Sequence, residues 1–295
     1  GTSSIGGTTS IGGSSAEGGT VSAGGTSSIG GSSSAGGGTS LGCSVTGQQT
    51  GEFHLSVKDG AGTDRDFLVI VPTLYVPNIP RSLLFGFHGA GGTYDTPRYY
   101  GFLEVPDAVA DTIYIFPQGV PYRDYGVGWN DACDGYDMVF FDNMLAKIES
   151  LYCIDTKRVY AVGFSWGCDF VTGLACCRGD KIRGIGAASC SDDFSRSGDF
   201  TSYLYLPCPA VSHAGIRFTH DLNGDWGYSA DQMTMTSRLY RYLNRCSENS
   251  SAISTECVSY NDCAEPVVEC DYPGLGHWMP PNWAQDTWNF FKQLP

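Results

Sequence analysis

The sequence is short of several things, and each shortage excludes a class of function. Basic residues are few: 17 Lys and Arg stand against 31 Asp and Glu, a formal net charge of -14. A chain this acidic repels phosphate backbones and anionic lipid, which argues against nucleic-acid or membrane-surface partners. No apolar run is long enough to cross a bilayer. No Cys-x-x-Cys pair occurs and only five histidines are present, so a zinc site has little support. Residues 1–42 hold no Lys, Arg or aromatic residue, and Glu17 is their only acid. They cannot bury enough surface to offset the entropy of ordering. A phosphate-cradling glycine loop would need a Gly-Lys-Ser or Gly-Lys-Thr ending, which this stretch lacks.

What residues 1–42 do hold is Gly, Ser, Thr and Ala, with Ser-Ile-Gly-Gly recurring at Ser4, Ser10 and Ser28. This composition reads as a flexible linker that tethers the protein to a surface or to a further domain. The chain begins at Gly1 rather than Met, and a removed signal peptide is expected. Twelve cysteines fit disulfides formed in an oxidising compartment, so a secreted protein is expected. The adjacent Cys176 and Cys177 should pair with different partners.

From Cys43 the texture changes. Short apolar runs alternate with helical patterns, the signature of βαβ units around a mostly parallel sheet. Strands are expected at Phe67 to Val71, Leu83 to Phe87, Thr112 to Phe116, Val159 to Val162, Ile182 to Ala187, Ile216 to Thr219 and Val267 to Tyr272. Helices are expected at Asp142 to Leu151, after Ser165, at Met233 to Leu243 and at Trp283 to Leu294. Residues 43–295 therefore read as one α/β domain.

Gly163-Phe164-Ser165-Trp166-Gly167 lies between an expected strand and an expected helix. There it reads as a nucleophile elbow: a sharp turn strained at the serine, with glycines two residues either side where a Cβ would clash. The start of the following helix favours negative charge. Upstream, His88-Gly89-Ala90-Gly91-Gly92 follows a strand, where glycines let backbone N–H groups approach a developing oxyanion. The hole would combine the N–H of Trp166 with one near Gly89 or Ala90.

A general base should come late in the chain, and His277 in Gly274-Leu275-Gly276-His277-Trp278 is placed for it. His54 is too early, His88 belongs to the glycine loop, and His213 and His220 precede the expected acid. For the acid, Asp221 and Asp225 both follow the Ile216 to Thr219 strand, and Asp225 is preferred. Asp221-x-Asn223-x-Asp225 mimics the opening of a calcium loop. Its required glycine falls on Trp226 and its closing glutamate on Gln232, which excludes that reading.

With these residues in place the chain resembles the secreted feruloyl esterase and polyhydroxybutyrate depolymerase-like branch of the α/β-hydrolases, over about residues 55–295. The resemblance rests on Phe87-His88-Gly89-Ala90-Gly91-Gly92-Thr93, Phe116-Pro117-Gln118-Gly119 and Asp137-Met138-Val139-Phe140-Phe141. It continues through the run from Ile154 to Ser165 and closes with Gly274-Leu275-Gly276-His277. It implies an α/β-hydrolase fold, a mostly parallel central sheet with helices on both faces. It also implies Ser165 as nucleophile and His277 as base. The branch's His-Gly-x-x-Asp acid pattern is displaced here: Asp221 follows His220, and Asp225 comes one residue late. Trp166 also departs from the small residue common after the serine. It would narrow the entrance or stack on an aromatic acyl group.

His88, Trp129 and Trp278 are candidate substrate contacts, and Asp137 is read as a cap for the helix that follows it. The expectation is a secreted serine carboxylic ester hydrolase, active as a monomer without metal or organic cofactor. Feruloylated plant cell-wall polysaccharide is the expected substrate, with acetyl-xylan and aliphatic polyesters next. An inactive carbohydrate-binding relative and a peptidase of the same fold are the rival classes.

Overall fold

The short apolar runs become neighbouring strands of one sheet. In this computed structural model, residues 38–122, 126–191, 208 and 214–295 are described. In chain order the elements are β1 (Gly51–Lys58), β2 (Asp64–Val71), β3 (Arg81–Phe87), α1 (Pro106–Asp111), β4 (Thr112–Pro117), β5 (Val120–Pro121), β6 (Val127–Gly128), α2 (Tyr136–Leu151) and β7 (Ile154–Phe164). They continue as α3 (Trp166–Cys177), β8 (Gly184–Ala188), β9 (Gly215–His220), α4 (Ala230–Leu243), β10 (Ser250–Ala252), β11 (Cys257–Tyr260), β12 (Val267–Asp271) and α5 (Trp283–Phe291).

Among the described residues the main sheet runs β1-β2-β4-β3-β7-β8-β9-β12-β11-β10. Its centre, from β4 to β12, is parallel, and both edges are antiparallel. Central strands covered on both faces tend to be continuously apolar; β4 and β8 are buried at every position, and so is β9, which nevertheless carries Arg217, Thr219 and His220. Leu83, Phe85 and Phe87 enter one core with residues of α2, α3 and α4. The alternate residue Leu84 enters the other core, with Ala108 of α1 and Trp283, Trp288 and Phe291 of α5. Parallel pairing brings the C-terminal ends of β3, β7, β9 and β12 to one edge of the sheet. This is where ligands bind in open α/β folds.

The structure departs from the expected elements in three ways. The folded unit begins at Gly38, ahead of Cys43. Thr39 bridges Asp155, and Ser40 Oγ donates to Tyr152 O at 2.6 Å and accepts from the Ile154 N–H at 2.8 Å. Residues with no apolar surface serve here as a backbone clamp. The rest of the expected linker, and His213, lie outside the described residues. Second, α2 starts at Tyr136, so Asp137 lies within its first turn and does not cap it. Its buried carboxylate instead accepts from Arg65 at 2.9 Å and from the Asn130 N–H at 2.8 Å. Third, β1 alternates in and out along its whole length, a period-2 pattern set by Phe53, Leu55 and Val57.

All twelve cysteines are paired. Cys176 and Cys177 do take different partners, Cys208 and Cys133. With Cys168–Cys190 these bonds fasten α3 near both of its ends. The others are Cys43–Cys153, Cys246–Cys263 and Cys257–Cys270. No described helix is long and apolar enough to cross a membrane.

Candidate active site

Ser165 sits at the junction of β7 and α3 with φ 55° and ψ -127°. A non-glycine residue held there stores about 1–3 kcal/mol of strain. The surrounding hydrogen bonds hold it: its N–H donates to Ala188 O at 3.0 Å, and its carbonyl accepts from Cys168 and Asp169 N–H at 2.8 and 3.1 Å. Both glycines of the elbow are required by close approach. A Cβ on Gly163 would lie 2.1 Å from Gly167 O, and one on Gly167 would lie 2.1 Å from Phe87 O.

His277 lies on the loop after β12, and its ring is 4.9 Å from that of Phe164, the residue before the serine. Its Nδ1 meets Asp225 Oδ1 at 2.9 Å and Oδ2 at 3.2 Å. The Asp225 side chain is fully buried, and its Oδ1 also accepts from the N–H groups of Gly227 and Tyr228, at 2.7 and 3.2 Å. An acid bonded to Nδ1 fixes the tautomer and leaves Nε2 to act as the base. Asp221 does a different job. Its buried carboxylate accepts from Gly274 and Gly276 N–H at 2.8 and 2.9 Å, and from Asn223 and Gly224 N–H at 3.3 and 2.8 Å. It therefore ties the Asp225 loop to the His277 loop. Burial opposes its ionisation, but these four N–H donors outweigh burial and hold its pKa below the ordinary value.

The glycine loop after β3 lies against the elbow: a Cβ on Gly89 would stand 3.2 Å from Ser165 Cβ. His88 and Trp129, expected as substrate contacts, are both fully buried. They shape the loop from behind. His88 Nδ1 donates to Gly89 O at 2.8 Å, its Nε2 accepts from the Gly119 N–H at 2.9 Å, and its carbonyl accepts from Trp129 Nε1 at 2.8 Å. Burial chiefly pushes the His88 pKa down, so the imidazole stays neutral. Trp166 Nε1 donates to Trp129 O at 3.0 Å, and its ring packs where a Cβ on Gly128 would stand. The tryptophan beside the serine is thus anchored to the β6 turn.

Trp278 is 60% exposed and its ring lies 5.6 Å from Phe164. Trp226 is 82% exposed and lies 4.8 Å from His277. Trp226 is not among the expected site residues; its place directly after Asp225 is the sequence signal for it. Cys133, Cys176 and Cys177 are the one group among the described residues with metal-ligand spacing, and disulfides consume all three sulfurs.

A strained serine at a strand–helix elbow, with a late histidine–aspartate pair and a glycine loop against it, defines a class: the serine carboxylic ester hydrolases of α/β-hydrolase fold. Solved structures agree on the fold. The acetyl xylan esterase from Aspergillus awamori superposes with a TM-score of 0.64 at 17% identity, over 81% of this chain and 99% of that one. The feruloyl esterase module from Clostridium thermocellum, solved with sinapinate, gives 0.53 at 13% identity, over 81% and 85%. No protein-family model matches the chain. In sequence, 77% of it aligns with 83% of feruloyl esterase C from Emericella nidulans, 31% identical over 242 residues. The chain belongs to that feruloyl esterase family.

Proposed function

We propose that the protein cleaves feruloyl or related hydroxycinnamoyl esters of plant cell-wall polysaccharide through an acyl-enzyme on Ser165. The observation that carries this is the His277–Asp225 contact beside the elbow, flanked by the exposed indoles of Trp226 and Trp278. His277 Nε2 takes the Ser165 proton as Oγ attacks the ester carbonyl. The tetrahedral oxyanion receives the N–H of Trp166 and one from Gly89 or Ala90. Collapse expels the sugar alcohol, which His277 protonates. Water, activated by the same imidazole, then frees the acid. Apart from the proton of the hydrolytic water, this scheme draws its protons and charges from side chains and backbone N–H groups, and it calls on no metal or organic cofactor. The exposed indoles offer flat faces for a hydroxycinnamoyl ring or a sugar. The disulfides suit a secreted enzyme, which we take to act as a monomer.

The test is a side-by-side rate measurement on methyl ferulate, acetylated xylan and a short polyester, with Ser165→Ala as control. Methyl ferulate should react fastest, and the variant should lose about 10⁶-fold in kcat. Faster release of acetate from xylan would move the assignment to an acetyl-xylan esterase. A parent chain that binds xylan but turns over none of the three would overturn the enzymatic reading.

A further inference from the structure

β9 is covered on both faces, yet it carries an arginine. Ile216 and Phe218 enter the core shared with α2, α3 and α4, so Arg217 between them faces the side of α5. There it is 4% exposed and lines a groove of about 620 Å³ between α5 and strands β11 and β12. Its Nη1 donates to Thr219 Oγ1 at 2.7 Å. Its Nη2 stands 3.9 Å from Cys257 Sγ and 3.8 Å from Asp286 Oδ2, too far for a good N–H···O bond. The Asp286 side chain is 43% exposed and lines the same groove. A donor and an acceptor therefore stand side by side without satisfying one another.

The neighbouring groups share that character. Asn289 accepts at Oδ1 from Gln285 Nε2 at 3.2 Å, and among the described residues its Nδ2 donates to no acceptor. The half-buried rings of Tyr272 and Phe290 border the groove and pack on Cys257, Val268 and Cys270, where a disulfide ties β11 to β12. Aromatic rings beside unspent planar donors and acceptors complement a sugar, whose hydroxyls both donate and accept and whose C–H face packs on a ring. An anion would suit the guanidinium, but Asp286 and Glu256 in the walls oppose one. The loop that carries His277 leaves β12 at Tyr272 and reaches α5 through Pro280 and Asn282, and all three line the groove.

We propose that this groove is a second, non-catalytic carbohydrate site, which holds neutral sugar units of the polysaccharide whose ester Ser165 cleaves. Arg217 Nη2 donates to a sugar hydroxyl, Asp286 accepts from that hydroxyl or its neighbour, and the aromatic wall takes the face of the sugar ring. A polymer held at both ends of the catalytic loop presents its esters at raised local concentration. The choice of polymer rests on the proposed polysaccharide substrate; the presence of a sugar site does not.

Xylohexaose carries no ester, so titration calorimetry of the full chain with it reads the groove apart from catalysis. The parent should bind it. Asp286→Ala and Arg217→Met should each weaken that binding by about tenfold, the worth of one hydrogen bond to a charged group. Each should raise KM on feruloylated arabinoxylan by a similar factor and leave kcat and KM on methyl ferulate at the parent's values. Asp286 is partly exposed, so its variant decides the test even where Arg217→Met folds poorly. No xylohexaose binding by the parent, unchanged binding by Asp286→Ala, equal losses on methyl ferulate, or binding confined to glucuronate-bearing oligosaccharides would overturn the proposal and leave the esterase reading intact. Xylohexaose binding that the variants weaken, in a chain inactive on methyl ferulate, would uphold the site and overturn the esterase reading.

Discussion

Two histidine–carboxylate pairs lie at this end of the sheet, and only one has the arrangement we propose for catalysis. In His277–Asp225 the acid takes Nδ1. In His220–Glu269 it is Nε2 that faces the acid, at 3.3 Å. Glu269 also accepts from Ser237 and Tyr260 hydroxyls, both at 2.7 Å, so its pair is one corner of a closed network between β12, β11 and α4. Asp225 accepts from backbone N–H groups of its own loop, and its histidine borders the elbow. A histidine beside an acid is therefore not a sign of catalysis. What matters is which ring nitrogen the acid occupies and whether a nucleophile stands near the other.

The largest expected effect separates the two pairs directly. His277→Ala should lower kcat on methyl ferulate by about 10⁶-fold and leave the melting temperature little changed. His220→Ala should do the opposite. It removes a partner from buried Glu269, costing about 3 kcal/mol in denaturant unfolding, while the folded fraction keeps its kcat. Comparable kcat losses in both variants would erase the distinction.

The Glu269 network also makes a pH signature. Burial would raise its pKa, but the facing His220 imidazole and the hydroxyls of Tyr260 and Ser237 outweigh burial and hold it down at about 2, against an ordinary value of 4.5. A depressed acid stabilises the fold above its unfolded pKa and ceases to do so as pH falls through the folded value. The parent should therefore lose about 3 kcal/mol of unfolding free energy between roughly pH 4.5 and 2 from this group. Glu269→Gln should be less stable at neutral pH and should lack that part of the acid decline, as urea titrations at several pH values would show. A decline of equal size in both proteins would place the acid sensitivity elsewhere.

The smallest effect belongs to the cleft. Trp278→Ala should raise KM for methyl ferulate by about fivefold, the worth of one aromatic contact, and leave a short acetate ester unaffected. An equal change on both substrates would show that the indole shapes the loop and does not bind the acyl ring.

The sequence made the elbow legible because the chemistry leaves few options. Two glycines are needed where Gly167 O and Phe87 O come within 2.1 Å of any added Cβ, and that demand is written in the residues themselves. The parallel core was legible for a similar reason, since strands covered on both faces are largely apolar, as β4 and β8 are. The roles of His88 and Trp129 were not. A histidine and a tryptophan in a loop have the same letters whether they face substrate or, as here, are buried and hydrogen-bonded behind the glycine loop. Asp221 and Asp225 differ only in what they touch, and the partners of Asp221 are backbone N–H groups, which carry no sequence signature. Arg217 and Asp286 lie on β9 and α5, far apart in sequence, and nothing local announces their approach.

The central claim is that Asp225, through Nδ1 of His277, drives Ser165, while Asp221 only holds the loops together. The most direct measurement is kcat on methyl ferulate for Asp225→Asn, with Asp221→Asn alongside as the structural control. Asp225→Asn should fall by about 10⁴-fold with its melting temperature near the parent's. Asp221→Asn should lose stability and keep most of its turnover. Turnover by Asp225→Asn within about tenfold of the parent, with Asp221→Asn folded but inactive, would contradict the account.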